Sequence, residues 1–165
     1  MTSDDDREAA KRLAGQANEV GRVSGQRHWR KMLRRVSRGR LGRRSGWTSV
    51  PELDTPWQDT ISAERGDDWR QRAANLDGDF AFSVDYQVCQ RCRLGWVEQP
   101  YTLPEYQRCG LASAGLAALR IELPGLSWHT LGGHLRDSKG FWAAIGADVP
   151  GGYQQRGPCA HVTTG

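Results

Sequence analysis

Four residues in two pairs offer the clearest chemistry in this chain. Cys89 and Cys92 are separated by two residues, and Cys159 stands two positions before His161. A Cys-x-x-Cys pair on a tight turn is the geometry of half a structural zinc site, because both thiolates can reach one ion. Cys159 and His161 are a candidate second half, and three thiolates with one imidazole complete a tetrahedral set. The spacing leaves a plainer reading open, in which two turn cysteines and an unrelated tail pair never meet. A redox dithiol fits less well, since such a pair normally caps a helix that lowers the thiol pKa. Cys109 reads as a packing residue.

A second segment, Gln107-Arg108-Cys109-Gly110-Leu111-Ala112, joins an expected strand to an expected helix. The start of a helix has free backbone N–H groups and a partial positive charge, so it binds phosphate without a cationic side chain. Gly110 lets the backbone come close to such a group, Ala112 is too small to obstruct it, and Arg108 adds a cation. An ordinary tight turn would show the same glycine.

These groups need elements to hold them. Phe80, Phe82, Val84, Tyr86 and Val88 alternate, which predicts a strand. Arg93 to Tyr101 reads as its partner, with Cys89 to Cys92 as the hairpin turn between them. Asn75 to Asp79 is turn-like. Leu111, Gly115, Leu116, Leu119 and Ile121 lie in an Ala-rich helix that Pro124-Gly125 must end. Leu126 to Leu131 is expected as a short strand, Ser138 to Ile145 as a helix, and Gly152 to Val162 as a final extended segment. Upstream, Thr55-Pro56 has the form of a helix start, with Trp57, Ile61 and Trp69 on its apolar side. The order from Phe80 is strand, strand, helix, strand, helix, strand, an α/β mixed sheet flanked by helices.

The N-terminal quarter differs. Asp4 to about Val20 has the composition of a loose helix. Between Arg22 and Arg44 there are many Arg, one Lys and no Asp or Glu, although the whole chain carries only +4 over 165 residues. Trp29, Met32, Leu33 and Val36 have the spacing of one helical face. The expected organisation is therefore a basic, partly helical and partly flexible extension over residues 1–46, followed by a domain over 47–165. The basic run from Arg22 to Arg44 suits nucleic-acid phosphates as well as a simple solvated arm. No apolar stretch approaches the roughly 18 residues needed to span a bilayer. The acidic start Met1-Thr2-Ser3-Asp4-Asp5-Asp6 is unlike a secretory signal, so a cytoplasmic location with reduced cysteines is expected. Core packing explains the seven tryptophans better than a base-stacking platform does.

The segment Gln107 to Ala112 resembles the phosphate turn of the GNAT N-acyltransferase family, Gln/Arg-x-x-Gly-x-Gly/Ala. The helix after it and the strand through Trp128 stand where that family has its own. Ser138 to Ala147 is similar to the family's late helix. The likeness is clearest over residues 80–162, and it implies a GNAT-like mixed sheet with acetyl-CoA as cofactor and an amine as acceptor. It implies a pyrophosphate held by Gln107, Arg108, Cys109, Gly110, Leu111 and Ala112. It implies Glu98 as general base, and a backbone N–H near Val97 to Gln99 as donor to the thioester oxygen. The sequence departs from the family where a tyrosine often serves as general acid. Trp142 stands there, and an indole N–H does not deliver a proton near neutral pH. His129 and His134 are further candidate bases. The expectation is an acetyl-CoA-dependent N-acetyltransferase. Its rivals are a non-catalytic module of this fold that binds nucleic acid through the basic arm, and a zinc-stabilised interaction protein.

Overall fold

A computed structural model describes residues 4–22, 55–66 and 68–163. Helix α1 spans Asp4–Gly15, and strands β1 (Val20–Arg22), β2 (Trp57–Ile61), β3 (Arg70–Leu76), β4 (Asp79–Cys89) and β5 (Leu94–Thr102) follow. Helix α2 (Leu111–Glu122), strand β6 (Ser127–Thr130), helix α3 (Lys139–Gly146), strand β7 (Gln154–Gln155) and the single turn α4 (Ala160–Thr163) complete the described chain.

The seven strands form one mixed sheet in sequence order. β2 to β5 make an antiparallel meander, while β1 lies parallel to β2, and β6 and β7 continue parallel to β5. The turn between β3 and β4 has Asp77 and Gly78 at φ +52° and +86°. Two left-handed residues give the turn twist that a tight hairpin prefers, which Asp-Gly supplies cheaply.

Alternation along β4 and β5 gives the sheet two unlike faces. Phe82, Val84, Tyr86 and Val97 point into the main core with Trp57 and Trp128, against Leu13 of α1, Leu116 and Leu119 of α2, and Trp142 of α3. On the opposite face the register pairs Asp85 with Glu98, Gln87 with Trp96 and Cys89 with Leu94. A smaller core forms there from Trp69, Cys89, Leu94 and Trp96, with Cys92, Leu131, Cys159 and Val162 against it.

Three expectations are corrected. Trp57 and Ile61 belong to strand β2 rather than a helix opened by Thr55-Pro56. The Thr55 hydroxyl does hydrogen-bond locally, to the Trp57 carbonyl at 2.9 Å, but pairing with both β1 and β3 decides the conformation. The segment from Gly152 to Val162 is extended only at Gln154–Gln155, then turns into α4 after Pro158, which cannot donate to a ladder. Residues 4–22, expected in the extension, pack with the domain. Ala10, Leu13 and Ala17 are buried, and the Trp57 indole donates to the Leu13 carbonyl at 2.8 Å. Most of the basic run, including Trp29, Met32, Leu33 and Val36, lies outside the described residues.

Candidate metal centre

The turn after β4 is built from Gln90 to Arg93. Arg93 takes a left-handed conformation at φ +54°, and its N–H donates to the Gln90 carbonyl at 3.2 Å. This closes Cys89 against Leu94 and leaves Cys92 on the same side as Cys89. The second pair arrives from the C-terminal segment. The Trp96 indole donates to the Arg156 carbonyl at 3.0 Å, and Val162 N–H donates to the Cys159 carbonyl at 3.1 Å. Those bonds deliver Cys159 and His161 to the hairpin.

One ligand atom from each of Cys89, Cys92, Cys159 and His161 lies within 4.8 Å of all the others, and Cys92 Sγ is 3.1 Å from His161 Nδ1. A closed tetrahedral zinc site needs about 3.3–3.8 Å between ligand atoms, given metal distances of roughly 2.0–2.3 Å. The group can hold a metal ion. Its donor set, three soft sulfurs and one imidazole, belongs to zinc and its soft neighbours rather than to calcium or magnesium.

The thiols already titrate as a set. The Cys92 thiol is pushed up to about 11, first by its hydrogen bond with Cys159 and then by burial. Burial also raises the Cys159 thiol, but hydrogen bonds with Cys89, the His161 backbone and Cys92 outweigh it and bring the thiol down to about 7. One thiolate is thus favoured near neutral pH. A bound cation would draw off the remaining protons, since a coordinating thiol is deprotonated outright.

The segment Gln107 to Ala112 leads into α2. Gly110 caps α2 with φ +86°, and Arg108 precedes it at φ +62°. The Gly110 carbonyl accepts the helical bond from Ala114 N–H at 2.9 Å. Arg108 and Gln107 are exposed, Cys109 and Leu111 are buried, and Ala112 is half-buried. Helix α1 runs beside this turn, with the Arg7 guanidinium donating to the Glu105 carbonyl at 3.3 Å.

β5 carries a bulge between its pairs with Ser83 and Asp85, and Gln99 there has φ +49°. β5 pairs with β6 only through Leu94 to Trp96. The Glu98 side chain bridges the two strands beyond that point. Its Oε1 accepts from Leu131 N–H at 2.5 Å and Gly132 N–H at 3.2 Å, and its Oε2 lies 3.5 Å from Arg65. Glu98 is therefore a strand clamp in this structure. Val97 is buried in the main core.

Trp142 is also packed away, stacked on His134 with centroids 5.0 Å apart and tilted on Tyr153 at 5.3 Å. His134 Nε2 lies 2.7 Å from the Tyr153 carbonyl. His129 Nδ1 lies 3.2 Å from the Gln154 carbonyl, and burial holds its pKa below the ordinary histidine value.

Two charged groups escaped the sequence reading. Arg65 lies 3.5 Å from both Asp85 and Glu98 and sits over the Trp69 ring at 5.0 Å. On the other face, Asp59 binds Arg70, Arg72 and the Tyr86 hydroxyl, and Arg72 also binds Glu122. The only signal in the sequence was Arg70 and Arg72 at strand spacing with one acidic residue in the facing strand.

No protein-family model matches this chain, and no curated protein matches it. Among the described residues, no helix is long and apolar enough to cross a membrane.

Proposed function

We propose that this chain is a zinc-clipped α/β interaction domain. One Zn²⁺ bound by Cys89, Cys92, Cys159 and His161 would fasten the C-terminal segment to the β4–β5 hairpin. The observation that carries this is the convergence of four ligand atoms within 4.8 Å from two chain segments far apart in sequence. Four protein ligands leave no open position, so the ion's contribution is to folding rather than to catalysis. Zinc supplies bonds that replace a missing hydrophobic connection, since α4 is a single turn and the core around Trp96 is small. The test is metal analysis of the purified full chain. About one equivalent of zinc is expected, falling to none in Cys159→Ser. Metal-free protein with unchanged stability in chelator would end this reading.

A second reading is favoured by the left-handed Gly110 at the head of α2 and by the end of β5–β6 pairing after Trp96. It is the acetyl-CoA-dependent N-acetyltransferase, or a module that binds the cofactor without transfer. The free N–H groups opening α2 would take the pyrophosphate, with Arg108 as added cation, and the bulge at Gln99 would present backbone N–H to the thioester oxygen. The bonds on Glu98 and the burial of Trp142 support binding more than proton transfer. Calorimetric titration with acetyl-CoA tests the site, and an amine acceptor screen tests the chemistry.

A further inference from the structure

The metal centre meets solvent unevenly, and an inference that rests on the zinc reading follows from this. Cys89 is buried in the smaller core with Trp69, Leu94 and Trp96. Cys92 and Cys159 are half-buried and His161 is exposed, so these three form the outer side of the site. The two outer cysteines come from different segments, Cys92 from the hairpin and Cys159 from the tail, and their thiols are hydrogen-bonded to each other.

Their surroundings favour reaction with a neutral oxidant. Arg91 and Arg93 are exposed on either side of Cys92 in the chain, and Arg156 is exposed shortly before Cys159. No Asp or Glu occurs in residues 86–97 or 149–163, the two segments that carry the ligands. Elsewhere the described residues hold more acidic than basic side chains. Reactive cysteines sit in such partly exposed, electropositive places, where a nearby cation stabilises the departing anion. A bound ion would also hold its sulfurs as thiolates, which are the nucleophilic form.

We propose that Cys92 and Cys159 are a site of hydroperoxide oxidation, closing into a disulfide that expels the zinc ion while keeping the tail on the hairpin. One of the two thiolates attacks a peroxide oxygen; the O–O bond breaks, hydroxide leaves and a sulfenic acid forms. The other thiolate attacks that sulfur and displaces a second hydroxide. Two thiolates and one hydrogen peroxide thus give one disulfide and two hydroxides, and sulfur loses the two electrons that oxygen gains. Cys89 and His161 remain, and two ligands are half of the tetrahedral set that a structural zinc needs. Cys89 is the poorer partner, because it is packed among core side chains on the inner side of the site. The bridge therefore spans the same two segments as the ion did. A Cys89–Cys92 bridge, in contrast, would lie wholly within the hairpin and release the tail.

The test is treatment of the zinc-loaded full chain with hydrogen peroxide. Released zinc is read with a chromogenic chelator, and disulfides are mapped by peptide mass spectrometry without reduction. About one equivalent of zinc should leave as two thiols disappear. The Cys92 peptide should be joined to the Cys159 peptide, and buried Cys109 should remain a free thiol. The oxidised chain should have a higher Tm than the chelated, reduced chain, because a covalent bridge replaces the ion. Dithiothreitol should restore both thiols and zinc uptake. Zinc retained with Cys92 and Cys159 still reduced overturns the proposal, as does a bridge through Cys89 or sulfinic acid without a disulfide. So does an oxidised Tm no higher than that of the chelated chain. A chain that takes up no zinc at the loading step ends the metal reading itself and this proposal with it, so the two failures are told apart before peroxide is added.

Discussion

The hairpin edge and the phosphate turn were both visible as motifs, and the structure treats them differently. At the hairpin edge, side chains from two distant segments converge until four donor atoms face one another. Between Gln107 and Ala112, Arg108 and Gly110 are left-handed and Leu111 opens α2, yet the specificity of that conformation is low. A left-handed glycine opening a helix serves any βα crossover as well as it serves a pyrophosphate. Convergence over a long sequence separation must be maintained by the whole fold, so it carries more information than a local turn. This is why the metal centre is the stronger reading.

Loss of the ion is expected to have the largest effect. Structural zinc supplies about 10–16 kcal/mol in peptides that fold only around it, and a domain with a separate core should lose a fraction of that. A loss of about 4 kcal/mol corresponds to a fall in Tm of roughly 8–16 °C at this chain length. Chelation and Cys159→Ser should give the same fall, measured by calorimetry, and should not add. Cys109→Ser should leave zinc content unchanged, since Cys109 lies in the phosphate turn. If chelation lowers Tm equally in Cys159→Ser and in the parent, the comparison fails at its stronger side.

Gly110→Val attacks the other region. A β-branched residue at φ +86° meets the left-handed penalty of roughly 1–2 kcal/mol, and the turn should shift to relieve it. The expected result is loss of acetyl-CoA binding with a Tm fall of only a few degrees and full zinc content. Unchanged acetyl-CoA affinity would mean that the turn is only a turn.

The alternating run from Phe80, the Asp77-Gly78 turn, the helix before Pro124-Gly125 and the Cys-x-x-Cys hairpin were legible because each is a local pattern with one dominant physical cause. The strand at Trp57 was not. Thr55-Pro56 supplies a sound helix cap, and only pairing with β1 and β3, invisible locally, overrides it. The tail is illegible for a related reason, since its pairing with β6 stops at Gln155 and the position of Cys159 depends on the Trp96–Arg156 bond. The packing of α1 was not legible because its charged composition hides the few small or apolar positions, Ala10 and Leu13 in the helix and Ala17 just after it, that enter the main core. The role of Glu98 was read from resemblance, whereas its clamp on Leu131 and Gly132 depends on where β6 ends.

That clamp gives a smaller, sharper test. Glu98→Gln keeps the shape and replaces a charged acceptor by a neutral one, so the bonds to Leu131 and Gly132 N–H should weaken. A loss of about 1–2 kcal/mol is expected, read by urea denaturation at unchanged m-value. If an acetyltransfer activity is found, a clamp predicts a pH–rate profile of unchanged shape in the variant. A general base predicts loss of the acidic limb.

The smallest effect concerns Asp85, beside Glu98 on the same face, where burial and ion pairing oppose each other. Burial raises its pKa above the ordinary 3.8, against the lowering effects of Ser62, Arg65 and Gln71. A carboxyl with a raised folded pKa binds its proton more tightly in the folded than in the unfolded state. Its contribution to stability is therefore fully present below the ordinary carboxylate range and is lost as pH rises through the folded pKa. Asp85→Asn removes the charge and retains an acceptor for Ser62 and Gln71. Arg65 loses one ion-pair partner at 3.5 Å but retains Glu98 at 3.5 Å and the Trp69 face. The variant should thus be more stable than the parent at neutral pH, and this advantage should vanish when both are unfolded below the ordinary Asp pKa. Thermal unfolding at the two pH values decides it. A variant less stable at neutral pH would show that the Arg65 pair outweighs desolvation. The Arg65–Asp85–Glu98 group would then be a tie across this face of the sheet in its own right.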